Sequence, residues 1–445
     1  MNTRTFPRGV HPPEGKSFAE NAAIEVLTTP ATVKIPLLQH IGAPCTATVK
    51  SKAEVVMGEV VGTADAFISA PIHSSVSGTV GRPAKVTLPN GRRVPAIPIK
   101  VAAEQPLSGQ ALYDDVLGGE WSMDLNEYAA DTIAQIVLDA GIVGMGGAAF
   151  PSHVKVRNNP DKPVDTLLVN GAECEPYLTA DYRLMLEAPK AVVCGALIAQ
   201  KATNAAKVVI GIENNKPKAI QAITEAAQGT GITVQPCQTK YPQGGEKQLI
   251  LAITGKVVPT GGLPLDVGCV VMNVGTTAAV ARAVVRGKAL THRVVTVTGP
   301  GIKTPKNVLA PVGCTIGDLI EFCDGFASDK VRVISGGPMM GFTVGNLDSP
   351  ITKGTSGITV LLENDYKKAE ETACIRCGRC VDVCPLHLVP TRLALAARAD
   401  SAEIAERYHV NSCMECGCCT YVCPASIPLV QLIRLGKILV KTQKK

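Results

Sequence analysis

The sequence predicts a multidomain chain that combines α/β and α+β units, and three observations carry that prediction. Short β-like runs alternate with turn residues from Lys34 to Val101, a strand–helix rhythm begins near residue 131, and nine of the sixteen cysteines crowd between Cys374 and Cys423. With 445 residues, 46% hydrophobic and 18% charged, the chain is too long for one core and too aliphatic for disorder. The balance of 44 basic against 38 acidic side chains is too even to mark a nucleic-acid binder. No secretory pattern opens the sequence and no apolar run reaches the ~18 residues of a membrane span. A reducing cytoplasm and no transmembrane span of its own are therefore expected.

Taken in order, residues 1–33 are proline-rich and read as an irregular arm laid over another domain. Residues 34–103 hold β-runs at 46–50, 55–61, 76–80, 84–88 and 94–101, the last two flanking an Asn90-Gly91 hairpin signal. Such spacing predicts a small β-sandwich or barrel. Residues 104–130, with the sole Trp121, read as a connector. Within 131–288 we read helices at 131–140, 183–204, 216–227 and 276–286, and strands at 164–169, 207–212, 232–235 and 269–273. That order predicts a parallel sheet covered by helices. Residues 289–365 return to β-runs around a helix at 316–322, and 366–430 form the cysteine-rich domain. The tail 431–445 shows helical apolar spacing with Arg434, Lys437, Lys441, Lys444 and Lys445. It reads equally as a lipid- or partner-facing helix and as a solvated helix end.

The cysteines carry the most specific signal. Cys374-x2-Cys377-x2-Cys380-x3-Cys384-Pro385 and Cys413-x2-Cys416-x2-Cys419-x3-Cys423-Pro424 both have the bacterial ferredoxin spacing for [4Fe–4S] cubanes. Two-residue gaps let three sulfurs converge on one cube, while the fourth cysteine leaves the loop pointing the other way. Cys374, Cys377, Cys380 and Cys423 are thus expected on one cluster, and Cys413, Cys416, Cys419 and Cys384 on the other. Structural zinc is the competing reading of CxxC pairs, and two complete runs weigh against it. Cys418 fits neither set and reads as a packed thiol. Two neighbouring clusters make a relay, not a catalyst.

A second constellation points to a nucleotide. Gly144-x-Gly146-x-x-Ala149 formally fits a dinucleotide fingerprint, but it follows a predicted helix where that motif requires a strand. Alone it is equally an ordinary glycine-rich turn. Asn170-Gly-Ala-Glu173-Cys-Glu175-Pro176 closes the first predicted strand, where ligands bind in open α/β sheets. Tyr241-Pro-Gln-Gly244-Gly245-Glu246 opens a helix whose first amides can receive phosphate. Together these segments resemble the NADH- and FMN-binding subunit of respiratory complex I. The resemblance implies flavin and nucleotide contacts at Gly144, Gly146, Gly147, Phe150 and Lys155. It places Asn170, Glu173 and Glu175 near the flavin ring and nicotinamide, and Tyr241, Gly244, Gly245 and Glu246 beside the flavin. Asn273 matches a further site asparagine, and Glu173, Glu175 and Glu246 stand nearest the chemistry. Ala149, Ala172 and Met272 depart from that family's pattern. Glu173 and Glu175 have an alternative reading as solvated loop carboxylates. Cys174, between two acids, is expected to be a poorly acidic, unreactive thiol. His387 and His409, near the clusters, read as surface residues.

The whole order, from the arm with Val10-His-Pro-Pro-Glu-Gly-Lys16 and the segment Ile35 to Pro44 through the flavin fold to two clusters, resembles the RnfC family, the C component of the Rnf complexes, over nearly the full length. That resemblance implies a barrel-sandwich hybrid for the N-terminal β-domain, without lipoyl because Ile72-His-Ser-Ser75 has no lysine. It implies a Rossmann-like FMN/NADH-binding domain, a β-grasp domain whose Gly336–Gly341 loop serves packing or docking by default, and a dicluster ferredoxin-like domain. The implied activity is that of an NAD(H)-linked flavin and iron–sulfur oxidoreductase subunit with FMN, NAD(H) and two [4Fe–4S] clusters. It would sit on the cytoplasmic face of a membrane assembly that couples electron flow between ferredoxin and NAD to Na⁺ or H⁺ transport. Its partners would be the membrane and iron–sulfur subunits, with ferredoxin reached indirectly. A soluble reductase serving a cobalamin enzyme or an amino-acid reductase, or a pure iron–sulfur carrier, are the alternatives. The early position of the β-domain favours Rnf.

Overall fold

The computed structural model describes residues 3–366 and 370–443; Lys444 and Lys445 of the expected basic tail lie outside the described residues. The N-terminal β-domain packs two small sheets. One runs in the order Glu54–Val55, Gly78–Val80, Arg93–Val101, Thr32–Pro36, with Ala84–Thr87 also on the long strand, and the other joins Thr46–Ala47, Val60–Thr63 and Ile72–His73. Val33, Ile35, Val61, Ile72 and Ile99 fill the space between them. The expected run at 55–61 is two strands, because Gly58 turns the chain at φ 90°. The tip at 72–75 is buried, and the Ser75 hydroxyl donates to Val312 O at 2.6 Å, so this tip is a packing surface.

The central domain holds four parallel strands in the order Thr233–Cys237, Lys207–Glu213, Thr166–Gly171, Cys269–Asn273. The middle strands are buried almost continuously, as a sheet covered on both faces requires. The helix expected at 183–204 is two helices, Ala180–Glu187 and Pro189–Thr203. Pro189 has no N–H to continue the ladder and pushes Ala188 out of the helical region, to φ −131°. Pro189–Thr203 then packs on Val274–Arg286 with almost no gap. A Cβ on Gly195 would stand 1.7 Å from Thr277 O. The connector is also more ordered than expected: it contains the helix Gly109–Val116, Asp115 pairs with Arg282 at 2.6 Å, and Arg286 stacks on Trp121.

The third domain is a six-stranded sheet in the order Ile24–Val26, Lys306–Pro311, His292–Thr298, Gly357–Leu362, Val331–Ser335, Phe342–Thr343, with helix Ile316–Phe322 against it. Its first strand comes from the arm, which is therefore not irregular throughout: Ile24–Val26 pairs in parallel with Lys306–Pro311. In the last domain the two cysteine runs share one local fold. Arg376 and Glu415 adopt φ near 60°, Gly378 and Gly417 near 80°, and short helices Arg379–Asp382 and Cys418–Tyr421 follow. The separate tail expected from 431 is corrected. Leu429–Gln443 is one helix whose Leu429, Val430, Ile433 and Val440 enter the core of this domain with Leu393 and Ala396. Two of its basic residues hold Glu415, Arg434 at 2.8 Å and Lys437 at 2.6 Å. Among the described residues no helix is long and apolar enough to cross a membrane.

Candidate functional site

The three nucleotide segments meet at the carboxyl end of the central sheet. Asn170 and Asn273 end adjacent strands in register, and the Asn170 amide donates to Gly244 O at 2.8 Å. This joins the first strand to the glycine turn. The Asn273 side chain caps the helix Val274–Arg286 by accepting from Gly275 N, and its amide donates to Asp181 at 2.6 Å. The loop 144–150 closes on itself through Gly144 N to Phe150 O (2.7 Å). It is held from behind by Thr276, which accepts from Met145 N, and by the buried Arg293, which donates to Met145 O. Asp181 and Arg293 line a cavity behind this loop with Met145 and Gly275. Lys155 pairs with Glu246 at 2.6 Å across the mouth and also donates to Val271 O.

Glu173 and Glu175 are not solvated loop carboxylates. Both lie deep in the molecule yet keep part of their surface accessible, at the carboxyl end of the first strand. Their carboxylates are engaged: Glu173 accepts from Asp181 N and Tyr182 N at the start of a helix, and Glu175 accepts from Met339 N (2.7 Å) and Met340 N (3.1 Å). The Gly336–Gly341 loop thus docks on a site residue. A Cβ on Gly337 would stand 2.1 Å from Glu175 Cγ, so only glycine permits the approach. Burial pushes Glu173 up to about 7 against the opposing pull of Lys16, and burial likewise raises Glu175 against the two amides. Cys174 accepts from Gly244 N at 3.2 Å and is driven upward by burial, as expected of an inert thiol.

Tyr241, expected among the cofactor-binding residues, is turned inward. It is 1% exposed, and its hydroxyl donates to Cys416 O at 2.7 Å, so it links the glycine turn to the second cysteine run. Next to it, Gly245 abuts Met414, and Gly417 packs on Met339 O.

One of the two expected cysteine sets shares a cavity. Cys384, Cys413, Cys416 and Cys419 line one cavity, with the buried Cys418 beside them. Cys380 has Cys377 and Cys423 as its near thiols. Cys374 and Cys377 are exposed, as are His387 and His409. Among the described residues no three His, Cys, Asp or Glu side chains converge as closely as a single ion requires. A cubane binds its four thiolates through separate irons and spreads them over its corners.

Sequence reasoning missed the buried charges beneath the site. Lys16, from the arm, donates to the backbone oxygens of Glu173, Glu175 and Leu178, and Lys216 donates to Ala172 O and Glu213. Lys16 stood inside the proline-rich arm motif, but nothing local showed where it points. Asp181 and Arg293 gave no signal at all, and Met339 stood in the Gly336–Gly341 loop, whose docking partner nothing local named.

The residues present fit a flavin. Gln243 is buried beside the glycine turn with neither side-chain atom hydrogen-bonded, and Gln248 Oε1 is unpartnered as well. Gly147 sits at φ 106° with open space beyond it. An open glycine loop and, at the neighbouring turn, amide groups without protein partners suit a polar, planar ligand.

Fold and site define a flavin-binding protein with a two-cluster relay. Residues 137–282 match the Nuo51 FMN-binding domain family and 370–427 the 4Fe-4S dicluster domain family. Residues 4–104 match the RnfC barrel sandwich hybrid domain and 294–343 the SLBB domain. The chain is 48% identical, over 98% of its length and 93% of the relative's, to the C component of the proton-translocating ferredoxin:NAD(+) oxidoreductase complex of Clostridium ljungdahlii. It is 43% identical, over 100% and 99%, to the C component of the Na(+)-translocating complex of Acetobacterium woodii. The chain belongs to the RnfC family of Rnf complex components. An NAD+-reducing [NiFe]-hydrogenase in the H2-reduced state shares the fold, with a TM-score of 0.50 and 20% identity over 74% of this chain and 65% of that one.

Proposed function

We propose that this chain is the NAD(H)- and FMN-binding electron-transfer subunit of a membrane-bound ferredoxin:NAD oxidoreductase, docked peripherally on the cytoplasmic face through the complex's membrane and iron–sulfur subunits. Electron flow through it serves Na⁺ or H⁺ transport elsewhere in that complex, and ferredoxin is reached indirectly. FMN, when bound, supplies the switch between two-electron exchange with NAD(H) and one-electron exchange with the clusters. The chain holds and orients it. Gly144, Gly146, Gly147, Gly244 and Gly245 let backbone approach a flat ring, Phe150 closes the loop, and Lys155 supplies positive charge toward phosphate. Asn170, Glu173, Glu175, Glu246 and Asn273 provide the polar wall.

The observation that carries the reading is the Tyr241–Cys416 hydrogen bond, which joins the nucleotide turn to a cluster loop within one residue. It also orders the relay. The cluster on Cys384, Cys413, Cys416 and Cys419 lies next to the flavin, and the one on Cys374, Cys377, Cys380 and Cys423, with two exposed ligands, faces the next carrier. Anaerobic reconstitution tests this. The holoprotein should bind FMN and lose cluster absorbance on adding NADH, and Gly146→Leu should abolish that bleaching while the cluster spectra stay. A protein that binds iron and sulfide but neither FMN nor NADH overturns the reading, and bleaching that survives Gly146→Leu misplaces the site.

A further inference from the structure

The N-terminal arm is a strap across the working parts of the molecule. Arg4 N donates to Pro236 O beside the central sheet. The Arg8 guanidinium and Gly9 N bond Val381 O (2.9 Å) and Val383 O (3.1 Å), in the turn between Cys380 and Cys384. Val10 exchanges hydrogen bonds with Tyr241, Glu14 O accepts from Tyr177 N, and Ile24–Val26 joins the third domain's sheet. At the centre of this path the Lys16 ammonium enters the floor of the site. It donates to Glu173 O at 2.7 Å, Glu175 O at 2.9 Å and Leu178 O at 2.6 Å, three acceptors for three N–H groups.

We propose that Lys16 is a positioning residue of the flavin site: from the arm, it shapes the segment 173–178 and sets a buried positive charge beneath it that favours the reduced over the oxidised flavin. The inference rests on the FMN reading above. A lysine in a mere packing role would keep its head in water along an apolar surface. Lys16 instead is 8% exposed and satisfied wholly by backbone oxygens of the very loop that holds Glu173 and Glu175. Glu173 carries φ 47° and Tyr177 φ 71°, so this loop needs support from outside its own chain segment. Lys216 bonds the same loop at Ala172 O but is neutralised by Glu213 at 3.0 Å. The Lys16 ammonium bonds only carbonyl oxygens, and no carboxylate is hydrogen-bonded to it; Glu173 opposes its charge through space, but burial pushes that carboxyl up to about 7 and so weakens the compensation. A fixed positive charge in a low-dielectric floor stabilises the added negative charge of reduction.

The test is an anaerobic redox titration of the flavin in the full-length holoprotein. Lys16→Gln, whose amide still donates to two of the three carbonyls, should lower the preference for reduced over oxidised FMN at least tenfold, a shift of about 30 mV to the negative for a two-electron couple. Lys16→Arg keeps the charge and should stay within threefold of the parent. Gly15→Ala removes no charge, but its Cβ would stand 2.8 Å from the Tyr177 ring and displace Lys16, so it should shift the flavin in the same direction as Lys16→Gln. Lys306→Met loosens the far end of the strap at Glu25 and should leave the potential unchanged. Unaltered potentials in both Lys16→Gln and Gly15→Ala, with only a lower melting temperature, overturn the assignment and leave the FMN reading standing. A parent protein that binds no FMN overturns both.

Discussion

Replacing Gly337 with alanine tests how the third domain reaches the site. A Cβ there would lie 2.1 Å from Glu175 Cγ and 2.7 Å from Glu175 Oε1, well inside the usual contact distance of 3.4 Å or more. The carboxylate must withdraw by more than an ångström, which breaks its bonds from Met339 N and Met340 N. Hydrogen bonds to a charged group contribute about 1.5–3 kcal/mol each. Because one oxygen takes both, the loss should be about 3 kcal/mol. At 1.36 kcal/mol per factor of ten, this lowers the protection of the two amides by about two orders of magnitude. Hydrogen exchange read by mass spectrometry on the peptide 336–341 measures it. Gly345→Ala is the control in the same domain, since a Cβ at Gly345 meets nothing within 4 Å. Equal exchange in Gly337→Ala and Gly345→Ala would refute the clamp.

The order of the relay predicts that Cys416→Ser, by disrupting the cluster beside Tyr241, stops NADH from reducing the remaining cluster, whereas Cys374→Ser leaves the inner cluster reducible. Electron paramagnetic resonance of NADH-treated samples distinguishes them, and reduction of the outer cluster in Cys416→Ser would reverse the order. Burial holds His73 and His292 at about 3, far below the ordinary histidine value of 6.5. Between those values the unfolded chain binds protons that the folded one does not, so stability is full above pH 6.5 and falls as the pH drops, by about 1.4 kcal/mol per pH unit per histidine. Urea midpoints from pH 6.5 to 5.5 should fall less steeply in His73→Leu; an unchanged slope would show that His73 titrates normally. Gly195→Ala forces apart two helices in backbone contact, and should lower stability by about 3 kcal/mol or more. A melting temperature equal to the parent's would mean that the helices can separate without cost.

Features with a short-range cause were readable before any fold was known. The ligand spacing of the two cysteine runs follows from the geometry of a cube, and the structure brings Cys384 to Cys413, Cys416 and Cys419 as that geometry demands. The central strands were legible because continuous burial writes itself as runs of Val, Ile and Leu. The glycine turn and the Asn170 segment were legible as motifs, and the fold seats them at one sheet end. Errors arose where a local signal was ambiguous. Helical spacing ran on past Pro189, and the tail looked detached because half of its helix is basic, although its other half fills a core.

The rest depended on contacts between distant parts of the chain. Lys16 reaches Glu173 across 157 residues, Met339 reaches Glu175 across 164, and Tyr241 reaches Cys416 across 175. A buried ammonium bound to carbonyl oxygens leaves no pattern in its neighbours, because backbone acceptors exist at every position and only packing selects among them. From composition, periodicity and ligand spacing came the multidomain α/β and α+β character and the expectation of two cubane sites, while the nucleotide segments were legible through a resemblance to a known family. Tertiary structure alone decided that Glu173 and Glu175 are held from outside, by a lysine of the arm and a loop of the third domain, and that the glycine turn bonds the second cysteine run. The division has one physical reason: ligand geometry and periodicity act within a few residues, whereas desolvation and close approach act wherever folding brings the chain back upon itself.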